Sequence, residues 1–208
     1  MELPITTIID MYIADKKSEG LSPKTTDWYR DKLKMLARHL TKGSKARLQD
    51  FNLENVRAFI SDLQSKDSRF GHHAIRPREE GKLSTYYIHG HVRTFKAFAN
   101  WLFEERFTRQ NTLAKLKRPS LPKPVINILT DEEIDRLVNS INPNTFLGMR
   151  LMCIVLLLLD TGIRASELLG IKLDDIDWKS DTIRVWGKGN RERIVSFDPQ
   201  TKKPDPLY

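Results

Sequence analysis

The chain has 208 residues, room for one large or two modest domains, and its 39% apolar and 30% charged content excludes wholesale disorder. A net charge of +8 with a pI near 9.6 sets up a field suited to a polyanion, more often nucleic acid than an acidic membrane. The single cysteine, Cys153, excludes an intramolecular disulfide and a thiolate zinc cluster. Met1-Glu2-Leu3-Pro4 shows no signal peptide, and the longest apolar run, Leu151 to Leu159, has about half the length a membrane span needs, so a cytoplasmic protein is expected.

In chain order, Ser22-Pro23 offers a cap followed by proline in a first turn. Trp28, Leu33, Leu36, Ala37 and Leu40 then recur at helical spacing, with Lys24, Arg30, Lys32, Lys34 and Arg38 between them, which predicts an amphipathic helix with a basic exterior. A shorter helix is expected over Leu53 to Leu63, on Val56, Phe59, Ile60 and Leu63. Residues 65 to 82 read as a long polar loop. Ser84 opens a further helix with the stripe Val92, Phe95, Phe98, Ala99, Leu102 and Phe103, and the pattern fits a four-helix bundle of about a hundred residues. Asn111 to Leu116 is expected as a last short helix. Lys117-Arg118-Pro119-Ser120-Leu121-Pro122-Lys123-Pro124 then reads as an extended basic linker, because closely spaced prolines sustain neither helix nor central strand.

A second unit opens on Thr130-Asp131-Glu132-Glu133, a capping box, and continues through Ile134, Leu137, Val138 and Ile141. A buried helix is expected over 147 to 159, ending near Asp160-Thr161-Gly162, and another from Arg164 to Leu169. Ile176 to Trp178, Thr182 to Trp186 and Arg193 to Phe197 read as short strands, with turns at Lys179-Ser180-Asp181 and Lys188-Gly189-Asn190.

Arg164 and Glu167 are three apart on one helix face, so they can pair. A guanidinium there presents a planar fork that matches two phosphate oxygens. Alone, the pair reads as a structural ion pair on a surface helix. Lys188, between Gly187 and Gly189 at a hairpin tip, is free to approach a ligand closely, although alone it reads as an exposed turn lysine. No phosphate-loop pattern is present, which excludes a nucleotide-binding P-loop.

In combination these segments carry more. Leu159-Asp160-Thr161-Gly162-Ile163-Arg164-Ala165-Ser166-Glu167-Leu168, then Asp174-Asp175-Ile176-Asp177, then Val185 through Arg193, closely resemble the tyrosine recombinase (phage integrase) family, and its Xer-like site-specific recombinases in particular. Ser84-Thr85-Tyr86-Tyr87 through Phe98-Ala99-Asn100-Trp101-Leu102, Asn111, and the linker into Leu129-Thr130-Asp131-Glu132-Glu133-Ile134 extend the resemblance over most of the chain. It implies a mainly α fold with a small antiparallel β-sheet: a SAM-like, four-helix core-binding domain over 1–116, a basic proline-rich linker over 117–128, and part of a mixed α/β catalytic domain over 129–208.

The resemblance further implies phosphoryl transfer on double-stranded DNA without metal or cofactor, through a 3′-phosphotyrosyl intermediate, with other recombinase protomers as partners, four of them on DNA in the family. By position, Arg164 matches the arginine that binds the scissile phosphate, Glu167 the acid that supports it, and Lys188 the hairpin lysine that protonates the leaving 5′-oxygen.

The sequence departs from the family pattern after Phe197. Histidines 39, 72, 73, 89 and 91 all lie in the first half, so none supplies the His-x-x-Arg that the family carries after the hairpin; the one such spacing, His73-Ala74-Ile75-Arg76, falls in the polar loop well ahead of Arg164. Tyr208 follows two prolines eleven residues past a strand, a poor place for the family's nucleophile. The expectation is therefore about half a catalytic domain, inactive alone, with apolar surface exposed where further helices would pack. Such a chain is either a fragment of an integrase or a regulator that only binds DNA or a partner; a helical protein-interaction module is a third, weaker alternative. Candidate DNA contacts are Lys24, Arg30, Lys34, Lys82, Thr85, Tyr86, Tyr87, His91, Arg93, Lys96, Lys115, Lys117, Arg118, Lys123 and Arg191.

Overall fold

The computed structural model describes residues 3–41, 46–66, 68–69, 79–122, 126–187, 189 and 191–198. The chain divides into two compact units, Met1–Pro124 and Val125–Tyr208. The fold is mainly helical with a small antiparallel sheet.

The first unit is built on four helices: α1 (Ile5–Ser18), α2 (Pro23–Thr41), α3 (Leu53–Ser65) and α4 (Thr85–Glu104). Helix α1 lies ahead of every helix expected from the sequence, yet its signal is plain. Ile5, Ile8, Ile9, Tyr12 and Ile13 recur at helical spacing, and all five are buried. Short polar side chains start the others: Ser22 Oγ accepts from Thr25 N at 3.3 Å, Asn52 caps α3 and Ser84 caps α4. The core joins Leu33, Leu36 and Ala37 of α2 to Val56, Phe59 and Leu63 of α3 and to Val92, Phe95, Phe98 and Leu102 of α4. Tyr12 meets Phe98 and Trp101 edge-on at 5.2 and 5.3 Å between ring centroids, the geometry aromatic quadrupoles prefer. Truncating a fully buried ring such as Phe98 to Ala would cost roughly 3–5 kcal/mol.

The polar stretch over 65–82 contains a minimal antiparallel pairing, β1 (Ser68–Arg69) with β2 (Glu79–Glu80). Asn111 to Leu116 is not the expected helix but a run of turns. Ala114 N donates to Asn111 O and Leu116 N to Leu113 O, three residues back in each case. Lys96 Nζ explains the difference: it donates to the carbonyls of Leu113, Ala114 and Leu116 at 3.3, 3.4 and 2.8 Å. An ammonium with three donors satisfies these carbonyls in place of helical N–H groups.

In the second unit, α5 (Asp131–Asn139) carries the reciprocal capping box of Thr130 and Glu133. Helix α6 (Phe146–Thr161) follows, ended by Gly162 at φ +60, a left-handed position that glycine adopts without strain. A short α7 (Ala165–Leu168) leads into an antiparallel meander of β3 (Ile176–Asp177), β4 (Thr182–Gly187) and β5 (Arg191–Ser196), within two residues of the expected strands. Ile163, Ile183, Val185 and Phe197 form a small core supported by Leu157, Leu158 and Leu168.

Helix α6 is not the buried helix its composition predicts. Met152 is its one buried residue, whereas Phe146, Leu147, Met149, Leu151 and Leu159 are exposed, Phe146 by 88%. Much of its apolar surface therefore has no cover from the described residues of this unit, although Leu157 and Leu158 pack on the small core. Among them, no helix is long and apolar enough to cross a membrane.

Candidate functional site

Two sets of candidate side chains emerge, one in each unit. In the second unit, the left-handed turn at Gly162 brings Arg164 to the N-cap of α7 in extended backbone geometry. The helix then returns Glu167 to it. Glu167 Oε2 accepts from the Arg164 backbone N–H at 2.9 Å, and Oε1 accepts from Arg164 Nη1 at 2.8 Å.

A second arginine completes this cluster. Arg193, on β5, donates Nη2 to Glu167 Oε2 at 2.8 Å and Nη1 to Oε1 at 3.1 Å. The carboxylate thus accepts four hydrogen bonds, two on each oxygen, which fills its acceptor capacity. Glu167 is only 4% exposed, while the Arg164 side chain is 65% exposed. The Arg164 backbone N–H, then its side chain and the charge of Arg193, hold the Glu167 carboxyl below the usual carboxylate range against the opposing effect of burial. One negative and two positive charges leave a cluster of net +1, with Arg164 projecting to solvent. No group of His, Cys, Asp and Glu among the described residues could hold a metal ion.

Sequence reasoning paired Arg164 with Glu167 but did not assign Arg193. The signal lay in the strand register. Arg193 pairs with Val185, whose side chain is buried, so Arg193 shares the inward face and needs a counter-charge there. Gly187 pairs with Arg191, and Gly189 between them has φ +77. A Cβ on Gly187 would sit 3.3 Å from Glu167 Oε1, so the strand that enters the loop packs directly on the carboxylate. Lys188 itself lies outside the described residues, as do Lys123 and Tyr208; Arg191 is exposed at the start of β5.

In the first unit, the candidate contacts separate by burial. Lys24, Lys82, Thr85, Tyr86, Tyr87, Arg93, Lys115, Lys117 and Arg118 are exposed, and Arg30 and Lys34 are half-buried, with Arg30 Nη1 donating to Asp27 at 2.6 Å. Tyr86 Oη donates to the Pro122 carbonyl at 2.7 Å, which holds the start of the basic linker against α4. Lys96, half-buried, is committed to three carbonyls.

His91 is corrected as a phosphate contact. It is 1% exposed, wedged edge-on against Tyr87, Phe59 and Phe95, with neither ring nitrogen hydrogen-bonded. Burial, reinforced by the nearby Lys32 charge, lowers its pKa to about 3, so it carries no charge to offer.

Lys32 is likewise not on the basic exterior. It is 7% exposed, with Nζ over the rings of Tyr87 and Trp28 at 4.5 and 4.8 Å. Burial lowers its pKa to about 8, with Asp31 opposing. The Arg93 guanidinium stacks on the same Trp28 ring at 5.1 Å. Gly90 makes this seam possible, since a Cβ there would stand 3.1 Å from Trp28 Cζ2. The result is an exposed guanidinium held on a rigid aromatic platform.

Comparison with known proteins agrees with this geometry. Residues 127–203 match the phage integrase family. Over 197 residues the chain is 30% identical to tyrosine recombinase XerC of Oceanobacillus iheyensis, covering 95% of this chain and 59% of that protein. Over 151 residues it is 32% identical to XerC of Staphylococcus carnosus, covering 73% of this chain and 46% of that protein. The chain therefore spans between about half and three fifths of the curated relatives it matches. Its fold is similar to that of a lambda integrase tetramer bound to a Holliday junction, with a TM-score of 0.70 at 17% identity, over 94% of this chain and 49% of that one. With the Arg164–Glu167 motif, the glycine-flanked hairpin and the helical first unit all in the family's order, the chain belongs to the tyrosine recombinase (phage integrase) family.

Proposed function

We propose that this chain grips duplex DNA with its first unit and brings Arg164 to a phosphodiester as part of site-specific recombination. The observation that carries the reading is the Arg164 side chain, fixed through Nη1 on a saturated carboxylate, with its remaining donors unused by any described residue and open to solvent. A guanidinium held in this way is ready to bind two phosphate oxygens without reorganising, and it stabilises the charge that builds on them in the transition state.

The chemistry is the one that the family resemblance implies. A tyrosine hydroxyl attacks phosphorus and gives up its proton to water, the bond to the 5′-oxygen breaks, and the departing oxygen takes a proton from Lys188. The phosphorus remains bound to the tyrosine, which conserves bond energy until a second 5′-hydroxyl reverses the step. In this reading the attacking tyrosine is supplied by a segment outside residues 1–208. The first unit corresponds to the core-binding domain, the linker to a basic strap along the backbone, and other recombinase protomers are the natural partners.

The test is electrophoretic mobility shift on duplex DNA across a salt series. Binding should weaken linearly in log–log form, with a slope of about −0.9 for each phosphate neutralised. No shift at low salt would overturn the reading and leave a protein-interaction module in its place.

A further inference from the structure

We infer that Arg193 is a positioning residue for phosphate binding, acting by keeping Glu167 from neutralising Arg164. This rests on Arg164 being the phosphate-binding arginine.

Acceptor capacity and charge decide what Glu167 does to Arg164. Carboxylate and guanidinium pair most strongly through two parallel hydrogen bonds. A Glu167 with free lone pairs would take Arg164 in that fashion, occupying the fork the phosphate needs and cancelling its charge. Arg193 prevents this by occupying one site on each oxygen, at 3.1 and 2.8 Å. The Arg164 backbone N–H takes a third site, leaving one for Arg164 Nη1. Glu167 orients Arg164, and Arg193 supplies its counter-charge. The link also couples two parts of the site, because Arg193 lies on β5 and Gly187, next to Lys188, packs on the same carboxylate. One buried carboxylate therefore sets the position of the Arg164 turn and of the hairpin base together.

The experiment titrates the 208-residue chain with inorganic phosphate while following the Arg164 Nε–H signal by NMR. Phosphate should perturb this signal in the native chain. R193Q, with a neutral cluster, should bind phosphate about tenfold more weakly, the equivalent of one lost charge-assisted hydrogen bond. The double variant R193Q/E167Q, whose cluster again has net charge +1, should recover the affinity. A merely structural role for Arg193 would not be rescued by a second substitution. R193K, which keeps the charge but offers a single prong, should fall between native and R193Q, and it carries the test if R193Q loses its dispersed spectrum. Native-like phosphate binding in R193Q, or in R193K where that variant stands in, overturns the role of Arg193 alone. Absence of any perturbation at Arg164 in the native chain overturns the reading of Arg164 and this inference with it.

Discussion

Acidification should weaken the first unit through one side chain, His91. Its folded pKa is about 3, against an ordinary value near 6.5, because the ring is buried among Phe59, Tyr87 and Phe95 beside Lys32. A base whose folded pKa is depressed contributes its full stability above the unfolded pKa and loses it as pH falls from there toward the folded value. Between pH 7 and pH 5 the unfolded chain takes up about 0.7 of a proton at this position, while the folded chain takes up almost none. Integrating the difference gives a loss of about 2 kcal/mol. Native-state hydrogen exchange at the α4 amides of Phe95 and Phe98, followed from pH 7 to pH 5 after correction for intrinsic rates, reads this directly. His91→Phe keeps the ring contacts and removes the titration, so its opening free energy should fall by less than about 0.5 kcal/mol over the same range. Equal pH dependence in parent and variant would refute the reasoning.

Lys32 titrates in the opposite window: its folded pKa is about 8 against 10.5, so the unfolded chain binds the extra proton between those values. Stability should therefore rise from pH 8 toward pH 10, and Lys32→Met should abolish that rise in urea unfolding. Trp28→Leu and Arg93→Ala should each lower the salt slope of DNA binding by about 0.9, and the two together should lower it no further. A full additive loss would show that Trp28 does not hold Arg93. Lys96→Met should destabilise the first unit by about 2–3 kcal/mol, because it strands the carbonyls of Leu113, Ala114 and Leu116. Equilibrium unfolding measures it, and a change under about 0.5 kcal/mol would contradict that account.

The parts of the site that were legible in the sequence are those set by short-range spacing. Arg164 and Glu167 meet because residues three apart on a helix share a face, and the turn before them announces itself in Gly162. Arg193 was not legible by the same means, since its partner is 26 positions away and is brought to it only by pairing of β4 with β5. Two errors came from reading side-chain type ahead of position. Lys32 lies four residues from both Trp28 and Leu36, and His91 lies four from both Tyr87 and Phe95, so each occupies a row that faces the core. Charge suggested the exterior, and periodicity placed both inside. Helix α6 erred the other way: an apolar composition announces the need for cover but not where the cover lies.

Under the proposed function, Arg164 and Lys188 do separate jobs on one phosphodiester. The direct measurement uses this chain joined to a family C-terminal segment bearing His-x-x-Arg and the tyrosine, on substrates with an ordinary or a 5′-bridging phosphorothiolate linkage. Loss of a general acid costs roughly 10²–10⁴-fold in rate. Lys188→Ala should show that loss on the ordinary linkage and recover on the thiolate, which leaves without a proton. Arg164→Ala should be slow on both, because its charge acts on the phosphate itself. Equal responses of the two variants to the thiolate, or normal cleavage by Lys188→Ala, would contradict the account.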